Sequence, residues 1–243
     1  MIQIEGLRKH FGEVKAVDDI DFTAADGAVT GLLGPNGAGK TTTLRMLYGL
    51  MQPDGGRMLI DGADVGIDPQ AAQARMGVLP DSRGLYPRLT AREHLRYFGR
   101  LQGVEGAQLE TRIGELLDLL DMDSIADRRT EGFSQGERVK VALGRALVHN
   151  PANVLLDEPT NGLDVMSTRA MRGLIRRMRQ EGKCVLFSSH IMQEVSALCD
   201  TIVIIAAGRI AAQGTPDQLR QQTGRDNLED AFVALTGIDE VAP

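Results

Sequence analysis

One glycine-rich segment constrains the fold of this chain more than any other part of its sequence. It lies within residues 28–42, where Gly34 to Thr41 match the phosphate-binding pattern G-x-x-x-x-G-K-[ST]. Glycines let the backbone curl so that successive N–H groups point at one anion, and the helix that follows adds its positive N-terminal end. The pattern therefore predicts a strand over Ala28–Leu33, a phosphate-binding loop and a helix over Lys40–Leu50, rather than an ordinary glycine turn.

The residue types in this loop suit a nucleoside triphosphate and its metal ion. We expect Lys40 to reach the β- and γ-phosphates and the Thr41 hydroxyl to face Mg²⁺, while backbone N–H groups enclose the phosphates. The candidate nucleotide contacts are Gly34, Pro35, Asn36, Gly37, Ala38, Gly39, Lys40, Thr41 and Thr42.

Two adjacent carboxylates end a second apolar run, which begins at Val154. Asp157 can hold Mg²⁺ through the water shell of the ion, because hard cations prefer carboxylate oxygen. Glu158 points to the opposite side of the strand end, where it can polarise a water in line with the γ-phosphate. The alternative is an acidic strand end without chemistry, which the phosphate-binding loop makes the weaker interpretation.

A histidine follows the next apolar run, Cys184–Ser188. In a parallel sheet, groups just beyond the carboxyl ends of the strands converge on the ligand. His190 can therefore contact the γ-phosphate and orient the attacking water. A purely structural histidine is an equally weighted alternative from the spacing alone.

The N-terminal segments predict a different layer. Ile2–Leu7 and Val17–Thr23 have the alternating or β-rich character of strands, and they indicate an antiparallel layer beside the nucleotide. Phe11 is expected in the loop between them, where its ring would stack on adenine. A rim residue without a ligand is the alternative for Phe11.

The middle of the chain is predicted to be helical. Capping boxes at Thr90–Glu93 and Ser134–Glu137 open helices that run to about Leu101 and Leu147. We interpret residues 85–150 as a helical subdomain inserted in an α/β core, and the helix end at Ser134 as a second anion site. The other predicted elements are strands over Met58–Ile60, Arg75–Leu79, Ile202–Ala206 and Arg209–Ala212, and helices over Leu109–Leu120, Met166–Arg179, after Thr215, and Leu228–Leu235.

The composition of the chain limits which binding partners and which cellular compartment are expected. The net charge of −6 gives the chain no general attraction to nucleic acid or anionic lipid. The two cysteines, Cys184 and Cys199, lie in apolar surroundings without metal-binding spacing, which fits a reducing cytoplasm. We see no signal peptide and no run of about 18 apolar residues. Any membrane role is therefore expected to depend on a partner.

Taken together, the motifs resemble those of the ATPase cassettes of ABC transporters, over nearly the whole chain. Phe133 to Glu137 resemble the signature loop, Asn161–Asp164 the loop that touches the partner subunit, and Ser189-His190 the switch histidine. The resemblance implies a P-loop NTPase fold of class α/β, with a RecA-like core, an N-terminal antiparallel β layer and a helical insertion. It also implies one domain over 1–238, with a core of 1–84 and 151–220, a helical subdomain of 85–150 and a tail of 221–243.

The resemblance further implies ATP and Mg²⁺ as cofactors and a dimer that encloses two ATP molecules. Each site would pair the phosphate loop of one subunit with the signature of a second identical or related cassette. That signature contributes Ser134, Gln135, Gly136 and Glu137, and Asp164 lies in the dimer loop. A separate membrane permease would contact the region Asp81–Tyr97, which places the chain on the cytoplasmic face of the plasma membrane.

Two departures from the family pattern affect these expectations. Asp81 stands where the family usually has a glutamine that touches Mg²⁺ and water, so its role as a metal ligand is open. The signature has Phe133, Gln135 and Glu137 for leucine, glycine and glutamine, but it retains the serine and second glycine that lie nearest the phosphate. We expect the ATPase activity to survive these changes.

Segments 79–95 and 185–195 look closest to the sodium-exporter subgroup of these cassettes, which suggests ATP-driven Na⁺ efflux. One alternative is an ABC ATPase that acts on DNA, ribosomes or Fe–S assembly without transport, although no coiled-coil arm, zinc module or second cassette is visible. A GTPase switch is the other, and it lacks the Asn-Lys-x-Asp motif that reads guanine.

Overall fold

The computed structural model describes residues 1–82 and 84–237, which form two sheets with helices packed around them. The strands are β1 (Ile2–Phe11), β2 (Val14–Ala24), β3 (Val29–Leu33), β4 (Gly55–Ile60), β5 (Ala63–Asp64), β6 (Met76–Leu79), β7 (Asn153–Asp157), β8 (Cys184–Ser189), β9 (Thr201–Ala206) and β10 (Arg209–Gly214). The helices are α1 (Lys40–Leu47), α2 (Pro69–Gln73), α3 (Ala91–Leu101), α4 (Gly106–Leu119), α5 (Gln135–Leu147), α6 (Val165–Gln180), α7 (Met192–Leu198), α8 (Pro216–Thr223) and α9 (Leu228–Thr236), with a 3₁₀ turn at Asp123–Ile125.

The larger sheet has the strand order β10-β9-β3-β8-β7-β6, and only the β9–β10 pair is antiparallel. Every residue of β3, β7 and β8 is buried, which explains why these strands read as continuous apolar runs. Leu33 pairs with Ser189, and Asp157 pairs with Ser188. The register therefore brings the phosphate-binding loop, Asp157 and the segment before His190 to one edge of the sheet.

The smaller sheet is the predicted antiparallel layer, with the order β2-β1-β4-β5. Its inner face packs Ile2, Ile20 and Met58 into the same core as Leu32 and Leu186 of the larger sheet. The loop position expected for Phe11 is wrong, because β1 continues to Phe11, which pairs with Val14 across a tight turn. The β1–β2 hairpin extends beyond the segment in which apolar and polar residues alternate. Its outer end has no buried face, so backbone pairing there needs no apolar alternation.

All regular elements that the structure describes between residues 85 and 150 are helical, as predicted. Both capping boxes are present, with reciprocal hydrogen bonds between the side chain of the cap residue and the glutamate three residues later. The helices pack on one another through Leu95, Leu109 and Leu143, in a core cluster that also includes residues of the larger sheet. The division into a core and a separate subdomain remains a prediction, and residues 238–243 of the tail lie outside the described residues.

Helix α1 ends at Leu47 rather than at Leu50, because Gly49 takes a left-handed conformation with φ of +71°. The short helices α2 and α7 were not expected from the sequence, since neither is long enough for a clear helical period. Within the described residues, none of the helices combines the length and the apolar character needed to cross a lipid bilayer.

Candidate active site

The phosphate-binding loop is closed over the amine of its own lysine. Lys40 Nζ donates to the carbonyl oxygens of Gly34 at 2.7 Å and Pro35 at 3.2 Å, and the Lys40 side chain is 6% exposed. Gly39 has a φ of +110°, and a Cβ there would collide with the carbonyl oxygen of Ala16 in β2. Only glycine permits this approach, so the antiparallel layer supports the loop from one side.

The charge of Lys40 has only a loose carboxylate partner among the described residues. Its nearest carboxylate oxygen, on Glu158, lies 3.8 Å from Nζ. Burial lowers the pKa of Lys40, and the negative charges of Glu158 and Asp157 only partly oppose that effect. A phosphate group in the loop would restore the balance by supplying anionic oxygens, so this pocket fits a triphosphate.

Asp157 and Thr41 form the candidate metal position. Asp157 Oδ1 accepts hydrogen bonds from Ser188 Oγ at 2.6 Å and Thr41 Oγ1 at 3.3 Å. Burial raises the pKa of Asp157, and the nearby charge of Asp81 raises it further. A divalent cation would offset both effects, and carboxylate and hydroxyl oxygens are the donor types that Mg²⁺ takes. The residues present therefore fit this ion.

Glu158 is held in an unusual backbone conformation directly after β7. Its φ is +46°, a left-handed value that costs a non-glycine residue about 1–3 kcal/mol. Its N–H donates to Ser188 Oγ at 2.9 Å, and its Oε2 lies 2.9 Å from His190 Nδ1. The strained turn thus directs the carboxylate toward the histidine and toward the cleft that holds the phosphate-binding loop.

Nine of the predicted site residues share one open cleft. Its lining consists of Asn36, Gly37, Gly39, Lys40, Thr41, Thr42, Asp81, Glu158, Asn161 and His190. Asn161 was placed by the sequence in the dimer loop rather than in the nucleotide site, and its position three residues after Glu158 was the signal available. Gly34, Pro35, Ala38 and Asp157 are outside this lining, and the Ala38 N–H donates to the Pro35 carbonyl at 3.2 Å.

Phe11 lies outside this lining. Its ring is half exposed at the end of β1, with Lys9 Nζ 5.6 Å from the ring centroid. The neighbouring strand β2 touches the phosphate-binding loop at Gly39. A contact of Phe11 with the base therefore stays a prediction.

The signature residues do not line the cleft in the described part of the chain. Ser134 Oγ accepts from the Glu137 N–H at 3.2 Å, and Glu137 Oε2 accepts from the Ser134 N–H at 2.8 Å. Gln135 packs beside Gly162, whose added Cβ would lie 3.6 Å from Gln135 Cγ. Asp164 caps α6 by accepting from the Ser167 N–H at 2.8 Å. The signature therefore packs against the loop before α6, and of that loop only Asn161 reaches the cleft lining in the described part of the chain.

Comparison with known proteins agrees with this geometry. The family model described as ABC transporter matches residues 17–161. The ABC transporter ATP-binding protein NatA of Bacillus subtilis is 44% identical over 91% of this chain and 90% of its own length. The Nod factor export ATP-binding protein I of Paraburkholderia xenovorans is 39% identical over 100% of this chain and 80% of its own. A solved ATP-binding subunit of an ABC transporter superposes with a TM-score of 0.90 at 31% identity, covering 97% of this chain and 99% of the other.

Proposed function

Because the chain belongs to the ABC transporter family, it is an ATP-binding and ATP-hydrolysing subunit. We propose that Glu158 is the general base for ATP hydrolysis, and that this hydrolysis drives export through a separate membrane permease. The observation that carries the proposal is the 2.9 Å contact between Glu158 Oε2 and His190 Nδ1. The contact lies in the cleft that also contains Lys40 and Thr41. A base, an orienting group and a phosphate-binding cation are thus assembled at one edge of the sheet.

Each residue of the site has a role that follows from its position. Glu158 accepts the proton of the attacking water, and His190 orients that water and the γ-phosphate. Lys40 exchanges its two carbonyl partners for phosphate oxygens. Thr41 and Asp157 would hold Mg²⁺, which neutralises phosphate charge when bound, and Asp81 lies close enough to act on the same charge.

We propose that a second cassette, identical or related, completes each ATP site by supplying its signature at Ser134–Glu137. The separation of the signature from the cleft of its own chain supports this arrangement. So does the surface beside Asp164, where Val165 is 83% exposed and Met166 is 71% exposed. Two large apolar side chains in sequence at this place favour a protein partner.

Ser134→Ala tests the role of the signature. We expect it to weaken ATP-dependent dimerisation by about 10-fold, because one hydrogen bond to a charged phosphate is lost. ATP binding to the monomer should stay unchanged, since Ser134 lies outside the cleft of its own chain. Sedimentation with Mg·ATP and binding of a fluorescent ATP analogue measure the two quantities.

Thr90→Ala is the matched control, because it removes a capping box of the same kind at a similar cost of about 1 kcal/mol in stability. If Ser134→Ala and Thr90→Ala dimerise as well as the native chain, the signature is not the second anion site.

For the permease we propose an aromatic surface at Tyr86 and Tyr97, in the region Asp81–Tyr97, of which residue 83 is not described. Tyr86 and Tyr97 are about half exposed, and their ring centroids lie 6.0 Å apart in an edge-to-face contact. His94 and Phe98 stack behind them, and Arg145 lies 4.5 Å from the Phe98 ring centroid. Exposed tyrosines on a rigid support are typical of protein interfaces. Docking there would hold the chain at the cytoplasmic face of the membrane.

Tyr97→Ala is expected to weaken co-purification with the membrane permease by about 10- to 30-fold, as truncation of an interface hot spot does. Ile67→Ala is the control, because Ile67 is 81% exposed but lies after β5, outside the aromatic surface. Quantitative pull-down of both variants with the permease measures the effect. Equal retention of the permease by the two variants would contradict the proposed surface.

For the transported substrate we propose Na⁺, because segments 79–95 and 185–195 resemble the sodium-exporter subgroup and the chain is 44% identical to NatA over 91% of its length. The ion path would lie in the membrane permease. The test is ATP-driven Na⁺ movement in vesicles that contain this chain and a permease that co-purifies with it, compared with the Glu158→Gln variant. ATP turnover that the permease stimulates without Na⁺ movement would reject sodium while retaining the export ATPase.

The alternative is an ABC ATPase without a transport role. A pull-down from cell extract that compares membrane proteins with ribosomes separates the two functions. Recovery of ribosomes and no permease would favour the alternative.

A further inference from the structure

A buried carboxylate lies behind the proposed catalytic pair and has no role in the chemistry described so far. Glu194, on α7, has a side chain that is only 3% exposed. Its Oε2 accepts hydrogen bonds from Thr160 Oγ1 at 2.6 Å and Ser189 Oγ at 3.3 Å. Its Oε1 lies 3.7 Å from a terminal nitrogen of Arg172 on α6. One side chain thus links three separate segments.

Two of these segments carry the proposed catalytic pair. Thr160 lies two residues after Glu158, at the start of the loop that leads to Asp164. Ser189 directly precedes His190, and its hydroxyl also accepts the Ile191 N–H at 2.9 Å. Glu194 therefore binds these two segments from behind, while Glu158 and His190 meet at 2.9 Å in front.

Packing alone does not account for a glutamate at this position. Burial of a carboxylate is unfavourable unless hydrogen bonds and an opposite charge compensate it, whereas leucine would occupy a similar volume without that cost. Compared with leucine, a carboxylate adds hydrogen bonds of defined length and direction. Those bonds fix the spacing between the loop after β7 and the end of β8.

We infer that Glu194 is a positioning residue for ATP hydrolysis, which holds the Thr160 and Ser189 segments so that Glu158 and His190 keep their mutual geometry. The inference rests on the proposed roles of Glu158 and His190. Because the Thr160 segment continues to Asp164, the same carboxylate connects the dimer loop to the histidine.

Glu194→Ala is expected to lower kcat for ATP by about 10- to 100-fold, because small displacements of catalytic groups cost rates of that size. KM for ATP should change by less than about 3-fold, since the residues that bind phosphate are untouched. Glu194→Gln, which keeps an oxygen acceptor for both hydroxyls, should recover most of the lost kcat. Steady-state ATPase assays and thermal unfolding of each variant provide these quantities.

Thr160→Val separates positioning from general stability, because it removes one hydroxyl at nearly constant shape. We expect it to lower kcat in the same direction, and the double variant with Glu194→Ala to lose less than the product of the two single effects. Glu181→Gln is the control, because the Glu181 side chain forms an exposed pair with Arg177 away from the cleft lining. It should leave kcat unchanged.

Three results would overturn the inference: an unchanged kcat in Glu194→Ala, a change confined to KM, or independent effects of Glu194→Ala and Thr160→Val. If Glu194→Ala does not fold, Glu194→Gln and Thr160→Val decide, and native kcat in Thr160→Val then rejects the positioning role. Glu158→Gln is assayed in parallel. Full turnover in Glu158→Gln would refute the proposed base, whereas its loss together with a native Glu194→Ala would refute only the positioning role.

Discussion

Replacement of Glu158 by glutamine is expected to lower kcat for ATP hydrolysis by about 10²- to 10⁴-fold, the range that a general base contributes. The amide has the size of the carboxylate and retains a polar contact with His190, but it cannot accept the proton of the attacking water. ATP binding should persist, because Lys40 and the loop around it are unchanged. The ATP-bound dimer should therefore accumulate instead of turning over.

Two measurements on Glu158→Gln separate these effects: phosphate release over time, and dimer content by size exclusion in Mg·ATP. Glu229→Gln is the control, since Glu229 is exposed on α9 and lies outside the cleft lining. Loss of both turnover and ATP binding would count against Glu158 as a base. It would indicate that the residue supports the nucleotide site itself.

Lys40→Ala should have its largest effect on binding rather than on turnover of bound ATP. We expect Kd for ATP to rise by about 10- to 150-fold, the effect of losing a hydrogen bond between charged groups. The buried amine donates to two backbone carbonyls of the loop itself, so its removal takes away the cation that we propose for the phosphates.

Lys140→Ala is the control for this change, because Lys140 pairs with Asp121 on the helical segment and lies outside the cleft lining. Isothermal titration with ATP gives both affinities. An unchanged Kd in Lys40→Ala would show that the loop binds a different part of the ligand from the one proposed.

Local sequence was sufficient where the structure depends on a few adjacent residues. The phosphate-binding loop and the capping boxes at Thr90 and Ser134 were predicted because their hydrogen bonds and glycine torsions span three to eight residues. The turn at Gly49 is equally local, but it was not predicted, because the helix was expected to continue to Leu50.

Contacts between distant segments could not be read in this way. The Ser188 hydroxyl donates to Asp157 and accepts from the Glu158 N–H, which depends on the pairing of β7 with β8. The contact of Glu194 with Thr160 joins residues that are 34 positions apart. Glu194 lies on α7, a helix too short to show a helical period in the sequence. A serine or glutamate in an apolar run carries no local signal of such partners.

The sequence by itself determined that this chain would build a phosphate-binding loop, place carboxylates after a buried strand and begin a helix at Ser134. Only the tertiary structure decided that Glu158 meets His190, that Glu194 lies behind both, and that Ser134 is outside the cleft of its own chain. The physical reason is that torsional preferences and capping hydrogen bonds act within a few residues. The meeting of distant side chains is set by strand order and register, which depend on the whole core.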